Sequence, residues 1–355
     1  MSNFLSAAFG PRGTGLRRNL LGVFLPLIGA NLLVWIWALV VLHDNPVLLG
    51  TAFLAYTFGL RHAVDADHIA AIDNATRKLM QQGERPLAVG LFFSLGHSSI
   101  VILMSVLVGL TASNLGQSVP ELKQIGGVIS TIASASFLFF LAVFNIMLFR
   151  SVYRAFQQVK AGVNVAEAEM DLLLSGNGFL TRLFRRLFQL VSKSWHLFPI
   201  GFLFGLGFDT ATEVALFGIS AAQATNGLSF STILVFPALF TAAMSLVDTT
   251  DGILMIGAYG WAYQRPIRKL FYNLTITAIS IIVALLVGGI ETLGLIGDKL
   301  GFEGSFWDMI AALDDNFGLL GYVIIGVFVM SWLASMILYR LKGYAELDAR
   351  PSAAE

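Results

Sequence analysis

Long apolar stretches recur along the whole chain and leave few folds open to it. A helix that crosses a bilayer needs about 20 mostly apolar residues. Eight stretches meet this requirement, at residues 20–42, 48–72, 87–111, 125–149, 197–222, 230–257, 270–294 and 317–340. The chain is only 12% charged, whereas soluble domains carry about 25% charged residues. We therefore predict an all-α polytopic membrane protein with eight transmembrane helices, in which residues 1–355 form a single transmembrane domain.

The basic residues predict how these spans are oriented. If the N-terminus is placed inside, all of the 22 basic residues except Arg61, Lys123 and Lys299 fall within inner segments. Such a bias predicts that both termini are cytoplasmic. The longest inner connection is then 151–196, and the outer connection 295–316 is expected to be a solvated loop. The chain has no cysteine, so thiolate metal sites and disulfides are excluded.

Four ionisable residues interrupt the second span. His62, Asp65, Asp67 and His68 lie within seven residues, with apolar sequence on both sides. Ionisable groups inside a membrane usually mark an ion or substrate pathway, and imidazole and carboxylate groups bind divalent metals. A regular helix cannot direct His62, Asp67 and His68 at one ion. Either the helix is locally unwound, or Asp67 supports the ligands without touching the ion. Asp65 is a ligand or orients one, and the alternative for all four is a charge cluster that ties helices together.

Further polar residues lie in three other spans. His97 is in the third span, Asp209 and Glu213 are in the fifth, and Asp248 is in the sixth. All four are candidate metal ligands. The alternatives are that His97 is a packed core residue and that Asp209 and Glu213 only pair with Arg61.

An internal repeat relates these residues. Residues 94–104 and 245–255 are identical at five of eleven positions, and residues 65–70 resemble residues 210–215 more weakly. The correspondence pairs His68 with Glu213 and His97 with Asp248. Spans two and five run in opposite directions, so we predict an inverted repeat of spans 1–3 and 4–6, a construction that places transporter sites at the repeat interface.

The motifs resemble those of a known family. Residues 61–74, with His62-x4-Asp67-His68, together with residues 93–99, 206–213 and 246–252, are similar to the motifs of the nickel/cobalt transporter family. The resemblance implies eight spans in the bacterial cytoplasmic membrane and import of Ni²⁺, with Co²⁺ as a further substrate. It implies no cofactor other than the transported ion, no nucleic-acid partner and no ATPase subunit. The related exporters carry a His-rich inner loop, and residues 151–196 contain only His196, which favours import.

Three functions are compatible with these motifs. The chain lacks a Gly-x4-Gly-Lys-Ser/Thr phosphate-binding sequence, so it does not itself use nucleotide. We expect a secondary transporter and not an enzyme. The alternatives are a nickel/cobalt exporter and a membrane-embedded metallohydrolase, in which a metal activates water. The predicted metal ligands are His62, Asp65, Asp67, His68, His97, Asp209, Glu213 and Asp248.

Overall fold

The computed structural model describes residues 13–111, 118–160, 191–206, 211–225, 228–262 and 266–341. These residues form α-helices, with a 3₁₀ turn at Ser194–His196 and no β-strand among them. In chain order the helices are α1 (Gly13–Leu42), α2 (Pro46–His62), α3 (Ala66–Gln81), α4 (Val89–Thr111), α5 (Ser118–Lys160), α6 (Leu197–Phe204), α7 (Ala211–Thr225), α8 (Phe230–Ile233), α9 (Val235–Ala262), α10 (Pro266–Leu300), α11 (Ser305–Asp314) and α12 (Phe317–Leu341). The all-α prediction is confirmed for this part of the chain. Residues 161–190, the greater part of the predicted inner connection 151–196, lie outside it.

The helices include five to seven candidate membrane spans within the described residues. Five are long and apolar enough by themselves: Arg18–Leu42, Val89–Leu107, Thr131–Gln158, Phe230–Ala258 and Leu274–Leu300. Two more are obtained if α2 with α3, bent by 52°, and α11 with α12, bent by 76°, each count as one span. The predicted fifth span, 197–222, is divided between α6 and α7, and residues 207–210 between them are not described. The count of eight spans therefore remains a prediction.

The outer surface of the bundle is apolar. On α1, Leu33 and Val40 are 67% and 66% exposed, and on α12, Leu319 and Met330 are 64% and 66% exposed. Soluble proteins rarely expose contiguous apolar patches larger than a few hundred Å². Faces of this kind suit contact with lipid, and they agree with a multi-pass membrane protein.

Helix α3 is enclosed by the other helices, although its sequence is not apolar. Every residue from His68 to Leu79 is buried, and α3 contacts α4, α5, α9, α10 and α12. The buried residues include Asp73, Arg77 and Lys78. The predicted second span ended at residue 72 because hydropathy identifies lipid-facing helices, whereas α3 is surrounded by protein.

A break separates α2 from α3 inside the bundle. Helix α2 begins at Pro46 behind an Asn45 cap, whose side chain accepts a hydrogen bond from the Leu48 amide at 3.2 Å, and such caps fix helix starts. Residues 63–65 then leave the helix. Helix α12 supports the break by close packing, since a Cβ on Gly321 would overlap the carbonyl oxygen of Val64.

The outer connection 295–316 is not a loop, so that expectation was wrong. Helix α10 continues to Leu300, and Ser305–Asp314 forms α11. The side chain of Trp307 packs over α10, where a Cβ on Gly297 would lie 2.9 Å from its ring. This aromatic contact holds α11 against the end of α10, a contact that sequence pattern alone does not reveal.

Two glycines allow α4 and α6 to cross closely. A Cβ on Gly96 would overlap the carbonyl oxygen of Phe198, and a Cβ on Gly201 would overlap that of Phe93. Small residues let helix backbones approach each other in membrane proteins. The crossing lies next to His97, because a Cβ on Gly205 would stand 2.7 Å from the His97 carbonyl oxygen.

We expect Gly201→Ala to destabilise the protein, because the added Cβ would force α4 and α6 apart. Overpacking of this kind costs about 1–3 kcal/mol. The measurement is the thermal unfolding midpoint of the detergent-purified protein. Gly22→Ala is the matched control, since a Cβ at Gly22 in α1 would meet no atom within 4 Å. Equal midpoints for the two variants would contradict the close crossing.

Candidate metal centre

Three histidines from three helices converge in the interior. His62 is the last residue of α2, His68 lies near the start of α3, and His97 lies within α4. Their ring centroids are 4.7 Å (His62–His68), 4.8 Å (His62–His97) and 4.8 Å (His68–His97) apart. All three are at most 2% exposed, and each offers a ring nitrogen within 4.8 Å of those of the other two. These residues are called the histidine cluster below.

Each imidazole of the histidine cluster lies within 3.4 Å of a buried carboxylate oxygen. The contacts are Asp65 Oδ2 to His62 Nδ1 at 2.9 Å, Asp248 Oδ1 to His68 Nδ1 at 3.3 Å, and Glu213 Oε1 to His97 Nε2 at 2.9 Å. With neutral imidazoles and ionised acids, this arrangement carries a negative charge inside the protein. Buried charge without a counterion is costly, so the interior is electrostatically suited to a cation.

Asp65 lies at the break between α2 and α3. Asp65 stands at the N-cap position of α3, yet its side chain makes no capping hydrogen bond. Its carboxylate contacts His62 instead, three residues back across the break. The local unwinding that was one of the two alternatives for the second span is therefore observed, and it separates Asp65 from the regular face of α3.

Potential ligand atoms of the histidine cluster lie close together. His62 Nε2 and His97 Nε2 are 2.9 Å apart, and Glu213 Oε1 is 3.8 Å from His62 Nε2. His68 Nε2 is buried and has no hydrogen-bond partner. An unsatisfied buried polar atom costs about 1–3 kcal/mol, and in a native protein it calls for an explanation such as an ion. The donor set fits a divalent transition metal.

Two aromatic rings pack against the histidine cluster. Phe93 meets His68 edge-on, with ring centroids 4.9 Å apart, and Phe240 lies 5.4 Å from His62. Both phenylalanines are fully buried. An apolar wall excludes water and lowers the local dielectric constant, which strengthens the attraction between the carboxylates and a cation.

The fold brings together six of the eight predicted site residues: His62, Asp65, His68, His97, Glu213 and Asp248. Asp67 lies in the first turn of α3 and is half-buried, and among the described residues it is not part of the histidine cluster. Asp209 lies outside the described residues, so its placement remains a prediction.

Sequence reasoning missed some contacts around the histidine cluster. Thr212 Oγ1 lies 3.4 Å from His62 Nδ1, and Ser94 donates a hydrogen bond to Ser245 at 3.0 Å. The signal for the serine pair was present, because Ser94 and Ser245 are identical positions of the repeat. Phe93 begins the third-span motif at residues 93–99, whereas nothing in the sequence distinguished Phe240 from the other apolar residues.

Apolar helices surround buried imidazoles and carboxylates, so the chain is of the class of multi-pass membrane proteins with an ionisable interior. The sequence model of a family described as high-affinity nickel-transport protein matches residues 48–338. The chain belongs to this family of nickel transporters, which confirms the resemblance seen in the motifs.

Relatives match over most of their lengths. A high-affinity nickel transport protein of Cupriavidus necator is 55% identical over 334 residues, which cover 94% of this chain and 95% of that protein. The hydrogenase nickel incorporation protein HupN of Bradyrhizobium diazoefficiens is 50% identical and covers 88% and 82%. The cobalt transport protein NhlF of Rhodococcus rhodochrous is 39% identical and covers 83% and 84%. No solved structure matches the chain significantly.

Proposed function

We propose that the chain is a secondary transporter that imports Ni²⁺, and also Co²⁺, across a bacterial cytoplasmic membrane through the histidine cluster. The observation that carries this proposal is the convergence of three buried imidazoles whose ligand atoms lie within 4.8 Å of one another. The identity of the metal, nickel, is inferred from the family and from the names of the relatives. A relative named for cobalt transport supports Co²⁺ as a second substrate.

The spacing of the ligand atoms suits nickel. Two ligand atoms that bind one ion at about 2.1 Å and at a right angle are about 3 Å apart. The separation of 2.9 Å between His62 Nε2 and His97 Nε2 agrees with this value, as does the 2.9 Å between His97 Nε2 and Glu213 Oε1. Right-angle arrangements of nitrogen and oxygen ligands are typical of Ni²⁺ sites.

Different roles are proposed for the carboxylates. Glu213 Oε1 lies 2.9 Å from His97 Nε2 and 3.8 Å from His62 Nε2. We therefore propose that Glu213 binds the ion together with His62, His68 and His97. Asp65 and Asp248 accept hydrogen bonds from Nδ1 of their histidines and orient the rings. A carboxylate in this position fixes the tautomer of a ligating imidazole and raises its basicity.

Asp67 and Asp209 are proposed to attract the ion on its way to the histidine cluster. The charge of Asp67 interacts electrostatically with His62 and His68, although it makes no contact with their rings. Asp209 precedes Glu213 by four residues in the sequence, and the same role is proposed for it.

The proposed inverted repeat is supported by two contacts. The correspondence exchanges His68 with Glu213 and His97 with Asp248. It therefore converts the contact between His68 and Asp248 into the contact between Glu213 and His97, and both contacts occur. Two equivalent contacts on different helix pairs are what a twofold relation requires.

The hydrogen bond between Ser94 and Ser245 adds to this support. The two serines correspond in the repeat, and corresponding residues can meet only near the axis that relates them. We infer eight spans, of which spans 1–3 and 4–6 form the inverted repeat and two are additional. Both termini are cytoplasmic in this topology, in agreement with the distribution of Lys and Arg.

The burial of the histidine cluster favours transport over the metallohydrolase alternative. His62, His68 and Glu213 are at most 1% exposed, which suits an enclosed ion better than a bound organic substrate. The membrane potential favours inward movement by about 2.3 kcal/mol per charge per 100 mV, so a divalent cation needs no nucleotide to enter.

We expect proteoliposomes that contain the purified protein to accumulate ⁶³Ni²⁺ when their interior is negative. His97→Ala should abolish this uptake, because it removes a ligand that also positions Glu213. His43→Ala is the matched control, since His43 is exposed and its ion-pair contact is with the exposed carboxylate of Asp44. Uptake that is unaffected by His97→Ala, or extrusion from loaded vesicles without uptake, would contradict the proposal.

A second prediction concerns the orienting carboxylates. Asp65→Ala and Asp248→Ala should each weaken equilibrium binding of ⁶³Ni²⁺ to the purified protein by about 10–100-fold, the usual effect of removing a hydrogen-bonded partner of a ligand. Asp65→Asn should lose less, because the amide oxygen still accepts from His62 Nδ1. Asp44→Ala, at the exposed His43 pair, should leave binding unchanged. Complete loss of binding in Asp65→Asn would indicate instead that Asp65 is itself a ligand.

A further inference from the structure

A second group of buried oxygen atoms lies along α3 beyond the histidine cluster. Asp73 is fully buried, and its Oδ2 accepts a hydrogen bond from Ser280 at 3.1 Å. Thr76, one turn further along α3, is also fully buried, and its hydroxyl has no hydrogen-bond partner. The site proposed above uses none of these side chains.

Helix α9 contributes a third oxygen atom that could bind a metal, from Asp251, beside this part of α3. Asp251 follows Asp248 by three residues, about 4.5 Å along a helix, and its Oδ2 is buried without a hydrogen-bond partner. A Cβ on the adjacent Gly252 would lie 3.8 Å from Thr76 Oγ1. The charges of Asp73 and Asp248 both act on the Asp251 carboxyl.

The two helices run side by side in the same direction. His68 of α3 contacts Asp248 of α9, and further along both helices Thr76 faces Gly252. Asp73 and Asp251 therefore lie one to two turns beyond the histidine cluster, on the side where α3 continues to Arg77. In the proposed orientation this side faces the cytoplasm.

Arg77, which follows Thr76 on α3, is held by neutral side chains. Arg77 donates to Thr277 Oγ1 at 2.7 Å and to Asn74 Oδ1 at 3.1 Å. Asn74 is held in turn by Asn145, at 2.5 Å. Among the described residues Arg77 makes no ion pair, so its guanidinium leaves Asp251 unpaired.

We propose that Asp73, Thr76 and Asp251 form a second divalent-cation site, which receives the ion after the histidine cluster releases it toward the cytoplasm. The proposal rests on the transport function proposed above. Its ligands are oxygen atoms alone, which bind Ni²⁺ and Co²⁺ less strongly than imidazole does. Conduction requires sites that admit the ion and yet release it, and a weaker second site promotes release from a tight first one.

The test is a calorimetric titration of the purified full-length protein with Ni²⁺ alone. The wild-type protein should show one tight and one weaker binding event. Asp251→Asn and Asp73→Asn should each lose the weaker event, keep the tight one, and slow ⁶³Ni²⁺ uptake into proteoliposomes. Asp298→Asn is the matched control, since Asp298 is exposed and pairs with Lys299 at 3.1 Å, and it should keep both events.

The outcomes separate this proposal from the first one. A single tight event in the wild-type protein would overturn the second site without contradicting the histidine cluster. Loss of the tight event in Asp251→Asn would also overturn the second site as a separate one. Absence of the tight event in the wild-type protein would overturn the proposed function itself. Retention of the tight event in Asp251→Asn also shows that the variant is folded.

Discussion

The contact between Asp65 and His62 is the interaction on which the rest of the site depends. It spans the break between α2 and α3 and ties the last residue of α2 to the N-cap position of α3. The interruption points His62 toward His97 while α3 places His68 against Asp248. A carboxylate and an imidazole are each costly to bury alone, and pairing them makes their burial tolerable.

The surrounding helices are shaped to permit this break. Gly321 of α12 lies against Val64, and a Cβ on Gly318 would stand 3.1 Å from Asp65 Oδ1. Larger side chains at these two positions would push α12 away from the broken segment. On the other side, the glycines of α4 and α6 let these two helices cross closely beside His97. The polar residues at the break are thus enclosed by closely packed helices, which is how non-helical backbone is tolerated within a membrane.

The sequence alone predicted much of the candidate site and less of its surroundings. The density of His and Asp in one apolar span identified His62, Asp65 and His68. The repeat paired Glu213 with His68 and Asp248 with His97, which are the further members of the site. The full burial of α3 was not predictable, because a polar helix that is enclosed by protein has no hydropathy signal. Helical spacing placed Asp65 on the face of His62 and His68 and placed Asp67 off that face, and Asp65 does contact an imidazole. Spacing could not show that the helix breaks at residues 63–65.

The most direct test of the account is X-ray absorption at the nickel edge of the purified, Ni²⁺-loaded protein. We expect a mixed shell of imidazole nitrogen and carboxylate oxygen with three imidazoles. We also expect His62→Ala, His68→Ala and His97→Ala each to reduce the imidazole contribution in whatever metal remains bound. A shell of oxygen ligands alone in the wild-type protein would contradict the assignment of the histidine cluster as the site that selects the ion.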